Sequence, residues 1–186
     1  MEFVTEFLEE AKQLEHFMTE NRRYLHQHAE AGCELPMTVS FVKEKLAEIG
    51  LEPKEICQSG ILAEIKGEKP GKTILLRADM DALPMEEENE LPFRTRTKAA
   101  HTCGHDIHTS MLLGAAKILY DHRATLCGTV KLMFQPGEEV GLGARKMIDA
   151  GILENPKVDA AFGMHTMFGW NAPAFAYGKG FTTSFL

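Results

Sequence analysis

Short apolar runs that each end in acids or a histidine recur along this chain, and segments with helical spacing lie between them. Residues 73–76 lead straight into Arg77-Ala-Asp79-Met-Asp81-Ala-Leu-Pro84. Residues 130–134 end in Gln-Pro136-Gly137-Glu138-Glu139, and residues 158–163 end at Met164-His165. Strands alternating with helices specify an α/β layered domain with a largely parallel sheet. In open sheets of this kind, ligands bind in the crevice beyond the carboxyl ends of the strands. Three strand ends are therefore expected to bring Asp79 and Asp81, Glu138 and Glu139, and His165 to one rim.

The remaining pattern fills in the layers. Phe3, Phe7, Ala11, Leu14, Phe17 or Met18, and Leu25 recur at helical spacing, so residues 3–28 are expected to be mainly helical with one apolar face. A turn follows, and Pro36 starts a second helix marked by Val39, Val42, Leu46 and Ile49, with Gly50 as its cap. His26 and His28, at the end of the first helix, are read as structural or as supports behind the metal ligands, not as ligands themselves. Residues 61–65 and 73–76 read as strands joined by a hairpin-like loop, KGEKPGK, and residues 85–100 read as a loop. Residues 107–120 form a strong helical pattern with Ile107, Met111, Leu112, Ala115, Ile118 and Leu119 facing inward. Residues 145–150 lie in a helix closed by Gly151, and one more short strand is expected near 174–177.

Composition narrows the function classes. The chain has 186 residues and a net charge of −7 without a basic cluster, which argues against a nucleic-acid surface. Its four cysteines, Cys33, Cys57, Cys103 and Cys127, show neither a CxxC pair nor disulfide-framework spacing. MEFVTEFLEE is acidic and amphipathic, unlike a secretory signal, and no run approaches the ~20 apolar residues that span a bilayer. The expected location is cytoplasmic.

The richest stretch is HTCGHDIHT, residues 101–109. Cys103 and His105 stand two apart around Gly104, a spacing that lets both face one ion where the backbone is extended. Together with the strand-end residues they suggest a metal centre held by Cys103, His105, Glu139 and His165, whose sulfur, nitrogen and oxygen donors suit zinc or manganese. Asp81 is placed to orient an imidazole NH, and Asp79 and Asp106 suit either job. His101 and His108 flank the motif, either beside the metal and substrate or as plain exposed histidines. Neighbours in an extended segment point opposite ways, so one of Glu138 and Glu139 coordinates while the other serves as general base toward a metal-activated water.

RADMDALPM, HTCGHDIHT, FQPGEE and GMH at these spacings resemble the M20 metallopeptidase family, in particular its amidohydrolase branch of hippurate, N-acyl-amino-acid and auxin-conjugate hydrolases. RRYLHQHAEAGCEL resembles the opening of that branch, with Ala29 where proline is usual. The resemblance implies a three-layer, zinc-exopeptidase-like catalytic domain with a mostly parallel mixed sheet. It implies two divalent ions held through Cys103, His105, Glu139 and His165, with Glu138 as the base and Asp81 in the catalytic set. The implied reaction is hydrolysis of the amide of an N-acyl amino acid or small peptide, with no nucleic-acid or membrane partner and a homodimer for full-length members. Family members run to roughly twice this length, with a lid and dimerisation domain and a further catalytic part that supplies another metal-binding histidine. Residues 1–186 are thus expected to be the N-terminal part of the catalytic domain, and residues 170–186 contain no histidine to take that place. Two alternatives are an inactive remnant that keeps partial metal binding, and a protein built around a closed structural zinc site.

Overall fold

The computed structural model describes residues 2–167. The strand expected near 174–177 lies outside the described residues. In chain order the elements are α1 (Glu2–Gln13), α2 (Glu15–Gln27), α3 (Pro36–Ile49), β1 (Lys54–Cys57), β2 (Gly60–Lys66), β3 (Lys69–Asp79), α4 (His105–Asp121), β4 (Cys127–Gln135), α5 (Gly143–Asp149) and β5 (Ala160–Gly163). The single helix expected over residues 3–28 is divided at Leu14, whose N–H is shared between the carbonyls of Glu10 and Ala11 at 3.2 Å each. Pro36 occupies the first position of α3, and Gly50 closes that helix with a left-handed φ of 102°.

The five strands form one mixed sheet in the order β1-β2-β4-β3-β5. β3 pairs in parallel with both β4 and β5, while β2 is antiparallel to β4 and to β1. The hairpin expected between β2 and β3 is therefore replaced by a wider arrangement in which β4 lies between them. The connection makes room for β4 by pressing glycine against its first residues: a Cβ on Gly71 would stand 2.7 Å from the backbone carbon of Cys127. The true hairpin is β1–β2. Its first strand is short and half exposed and carries little periodicity, which explains why the sequence does not announce it.

Helices cover both faces. On one side Leu25 of α2, Val42 and Leu46 of α3, and Leu113 and Ala116 of α4 pack against Ile61, Ile65, Leu132 and Phe134 of the sheet. On the other, Met147 of α5 and Ile152 pack on Leu75 and Met133. Burial of side chains of this size contributes about 1.5–3 kcal/mol each, so the larger cluster dominates stability. The buried face of α4 is rotated from the expected one. Leu112, Leu113 and Ala116 are buried, whereas Ile107, Met111, Ala115 and Ile118 are only half-buried. The first two turns bury His105, Asp106, His108, Thr109 and Ser110 instead, polar residues that an apolar periodicity does not count.

Candidate metal centre

Because β3, β4 and β5 run parallel, their carboxyl ends open on one rim. Asp79 is the last residue of β3, Glu138 and Glu139 lie just past β4, and His165 lies two residues past β5. The loop before α4 brings Cys103 to the same place and turns into the helix at Gly104, which has a φ of +84°. Glycine fits that left-handed turn without a Cβ penalty, and a Cβ there would also meet Thr166 Oγ1 at 2.5 Å.

His105 stands at the middle of the rim with its side chain fully buried. Its Nε2 lies 3.7 Å from Asp79, 3.7 Å from Glu139 and 3.8 Å from Glu138, and its Nδ1 lies 3.7 Å from Asp81. Neither nitrogen has a hydrogen-bond partner among the described residues, and the buried Oε1 of Glu139 has none either. Burial alone would lower the His105 pKa, but the carboxylates of Asp81, Asp79 and Glu139 outweigh it and raise it.

Asp81 is fully buried and organises the two glutamates through their backbone. Its Oδ1 accepts the Glu138 N–H at 2.9 Å and its Oδ2 accepts the Glu139 N–H at 3.2 Å. The expected link from Asp81 to an imidazole is a 3.7 Å approach to His105, longer than a hydrogen bond. The turn leaves the Glu138 side chain 37 % exposed and that of Glu139 20 % exposed.

Cys103 and His165 complete the ring. Cys103 Sγ lies 3.5 Å from His165 Nε2, and sulfur, imidazole and carboxylate atoms of Cys103, His105 and Glu139 all fall within 4.8 Å of one another. His165 Nδ1 donates to its neighbour's carbonyl, Thr166 O, at 2.6 Å, which leaves the Nε2 lone pair facing the thiol. Burial first, then the charges of Glu139, Glu138 and Asp79, push the Cys103 thiol up to about 12. A cation beside the sulfur reverses that balance.

His108 is buried rather than exposed. Thr166 N–H donates to its Nε2 at 2.9 Å, so its proton sits on Nδ1 and is donated to Asp79 at 2.6 Å. Thr166 Oγ1 donates to the Cys103 carbonyl at 3.0 Å, tying the loops of Cys103 and His165 together. Asp79 also receives Arg77 at 2.5 Å. Burial opposes its charge, but the His108 hydrogen bond and Arg77 prevail and hold its pKa at about 2. Arg77 and Asp79, two apart on one strand, share a face, a spacing from which their pairing could have been expected. Thr166 acts partly through its backbone and gave no signal.

His101 is also buried rather than exposed, and neither of its ring nitrogens has a partner among the described residues. Burial pulls its pKa down to about 4. Asp106 faces away from the ring and pairs with Arg22 and His26, as His26's structural role leads one to expect.

Four carboxylates thus surround one buried histidine, with a thiol and a second imidazole at contact range. Unpartnered His105 nitrogens, an unpartnered Glu139 oxygen and a mixed S, N and O donor set fit a divalent transition ion.

The model of peptidase family M20/M25/M40 matches residues 75–178, which span this entire rim. The chain belongs to this family. Among similar proteins, thermostable carboxypeptidase 2 of Saccharolobus solfataricus is 38% identical over 97% of this chain and 47% of its own length. N-acetylcysteine deacetylase of Bacillus subtilis is 44% identical over 77% of this chain and 38% of its own. The crystal structure of the Bacillus subtilis YXEP protein, described as a dinuclear metal-binding M20 peptidase, superimposes with a TM-score of 0.80 and 40% identity over 84% of this chain and 44% of that one. The M20 chain therefore has the three-layer catalytic fold, and it spans about half the length of the curated relatives it matches. Among its described residues no helix is long and apolar enough to cross a membrane.

Proposed function

We propose that this chain carries the metal-holding and proton-transferring part of an amidohydrolase that cleaves the amide bond of an N-acyl amino acid or small peptide. The observation that carries the reading is His105, buried with two unpartnered nitrogens inside a ring of carboxylates that Cys103 and His165 close. The names of the relatives support it, since a carboxypeptidase and an N-acetylcysteine deacetylase both add water across an amide. As the N-terminal part of a catalytic domain, the chain would hold metal through Cys103, His105, Glu139 and His165. Two donor sets overlap at His105, one with Cys103 and Glu139 and the other with Asp79, His108 and His165, which suits two ions, zinc or manganese. Bound there, divalent ions polarise the amide carbonyl and bring the pKa of water toward ~7.

The chain's own residues handle the protons. Glu138 is the more exposed glutamate, so its carboxylate reaches solvent and substrate while Glu139 turns inward. Glu138 takes a proton from the attacking water and delivers it to the nitrogen of the leaving amine, so acid and amine separate with protons balanced. Asp81 fixes the turn that aims it. Four free cysteines are consistent with a reducing compartment and support a cytoplasmic location.

Hydrolysis of hippurate and N-acetyl amino acids with added zinc or manganese tests the reading. Glu138→Gln should keep the metal and lose about 10²- to 10⁴-fold in rate; equal rates in both proteins would overturn it. The open placement of His165 and of every β5 residue favours a second reading, metal binding without turnover. That outcome shows as bound metal and no hydrolysis in either protein.

A further inference from the structure

Asp106 follows His105 directly yet serves a different set of partners. Its carboxylate is fully buried; one oxygen accepts a hydrogen bond from His26 Nδ1 at 2.7 Å and forms an ion pair with Arg22, whose Nε stands 2.8 Å away, both from α2. The other oxygen accepts the N–H of Ile107 at 2.9 Å. His26 sends its second nitrogen to Glu87 at 3.0 Å, and Glu87 in turn accepts the Thr95 N–H at 2.7 Å. Arg94 donates to the Glu87 carbonyl, and the Phe93 ring lies 4.8 Å from the Arg22 guanidinium and 5.6 Å, edge-on, from His26. Both His26 nitrogens face carboxylate acceptors, and the hydrogen bond to Asp106 first, then that to Glu87, raises its pKa against burial and the nearby Arg22, which favours the doubly protonated ring. Arg22 and His26 then balance Asp106 and Glu87, and the cluster is electrically complete without any ion.

We infer that Arg22 and His26 are positioning residues for the metal centre, acting through Asp106 to set the rotation of the first turn of α4. The inference rests on the metal-binding reading of Cys103 and His105. Successive helical residues are about 100° apart around the axis, so a carboxylate clamped at 106 fixes the direction of the imidazole at 105. The clamp comes from α2 and from the 85–100 loop, neither of which contributes a residue to the ring itself. Cys103 is held separately, through its carbonyl, by Thr166, so the clamp at Asp106 acts on the imidazole side of the pair and sets how His105 faces the thiol. This assigns a task to the RRYLHQH segment that the chemistry at the rim leaves unused.

Cobalt(II) binding to the full chain tests the inference, read by the sulfur-to-cobalt charge-transfer band that reports Cys103 and by the dissociation constant. His26→Gln and Arg22→Gln should weaken binding about 10- to 100-fold and shift the band, the usual effect of losing a residue that orients a metal ligand. Val42→Ala, in the core on α3, serves as the control for stability alone; it should leave affinity within about twofold. Arg22→Lys, which keeps the charge, should recover part of the loss. Wild-type affinity and spectrum in folded His26→Gln and Arg22→Gln would overturn the positioning role while leaving the metal centre intact. A wild-type chain that binds no cobalt would overturn both readings. Should His26→Gln fail to fold, Arg22→Gln decides, because the Arg22 side chain is 28 % exposed and tolerates the change better.

Discussion

His105 and Asp106 are neighbours on one helical turn, yet the clusters around them are built on opposite rules. Around Asp106 two cations meet two carboxylates: His26 bonds to both carboxylates at 2.7 and 3.0 Å, Arg22 forms an ion pair with Asp106 at 2.8 Å, and backbone N–H groups satisfy each carboxylate as well. Around His105 the nearest carboxylate oxygens stand at 3.7 to 3.8 Å, and both imidazole nitrogens and Glu139 Oε1 have no hydrogen-bond partner among the described residues. A closed, neutral cluster holds structure together by itself. An open cluster with surplus negative charge suits a cation, and by itself it costs stability.

The strongest way to break this contrast is Asp106→Ala. It strands Arg22 beside the core without a counter-charge, leaves His26 with Glu87 alone, and should cost about 3–5 kcal/mol in urea unfolding of the metal-free protein. A loss below about 1 kcal/mol would mean that the cluster is not the closed network the distances describe. Acid offers an intermediate test. The folded pKa of Asp79 lies near 2 against an ordinary 3.8, so its contribution is fully present above 3.8 and is lost as pH falls toward 2. The shift corresponds to roughly 2 kcal/mol. Urea midpoints with a chelator present should fall over that window in wild type, and less steeply in Asp79→Asn. The smallest effect has the opposite sign. Glu139→Gln removes one of the crowded charges at the open cluster and should leave the metal-free protein unchanged or more stable by up to about 1 kcal/mol, while abolishing tight zinc binding by titration calorimetry. Marked destabilisation would show that the ring is satisfied without an ion.

Much of the rim was legible because its residues sit where an apolar run stops. Asp79, Glu139 and His165 each follow a strand, and parallel strands of one sheet leave their carboxyl ends on the same side. Cys103 and His105 were legible as a pair, but not for the expected reason: the backbone is not extended there, and a left-handed turn at Gly104 into α4 brings the two side chains together. Strand order was not, because the place of β4 between β2 and β3 depends on long-range pairing that neighbouring residues do not encode. The buried polar turns of α4 were invisible to a count of apolar residues. His26 and Asp106 are 80 positions apart, and each looks like an ordinary helix-end residue until the two are in contact. Thr166 holds His108 through an amide N–H that every non-proline residue has, so its identity says nothing of that role.

At Gly104 the chain leaves room for one hydrogen atom. A methyl group there would meet the Thr166 hydroxyl and oppose the left-handed turn as well. The displaced hydroxyl is the one that grips the Cys103 carbonyl, so the intrusion would pry apart two loops that no covalent bond joins. Alanine, elsewhere the mildest of replacements, would there act as a wedge.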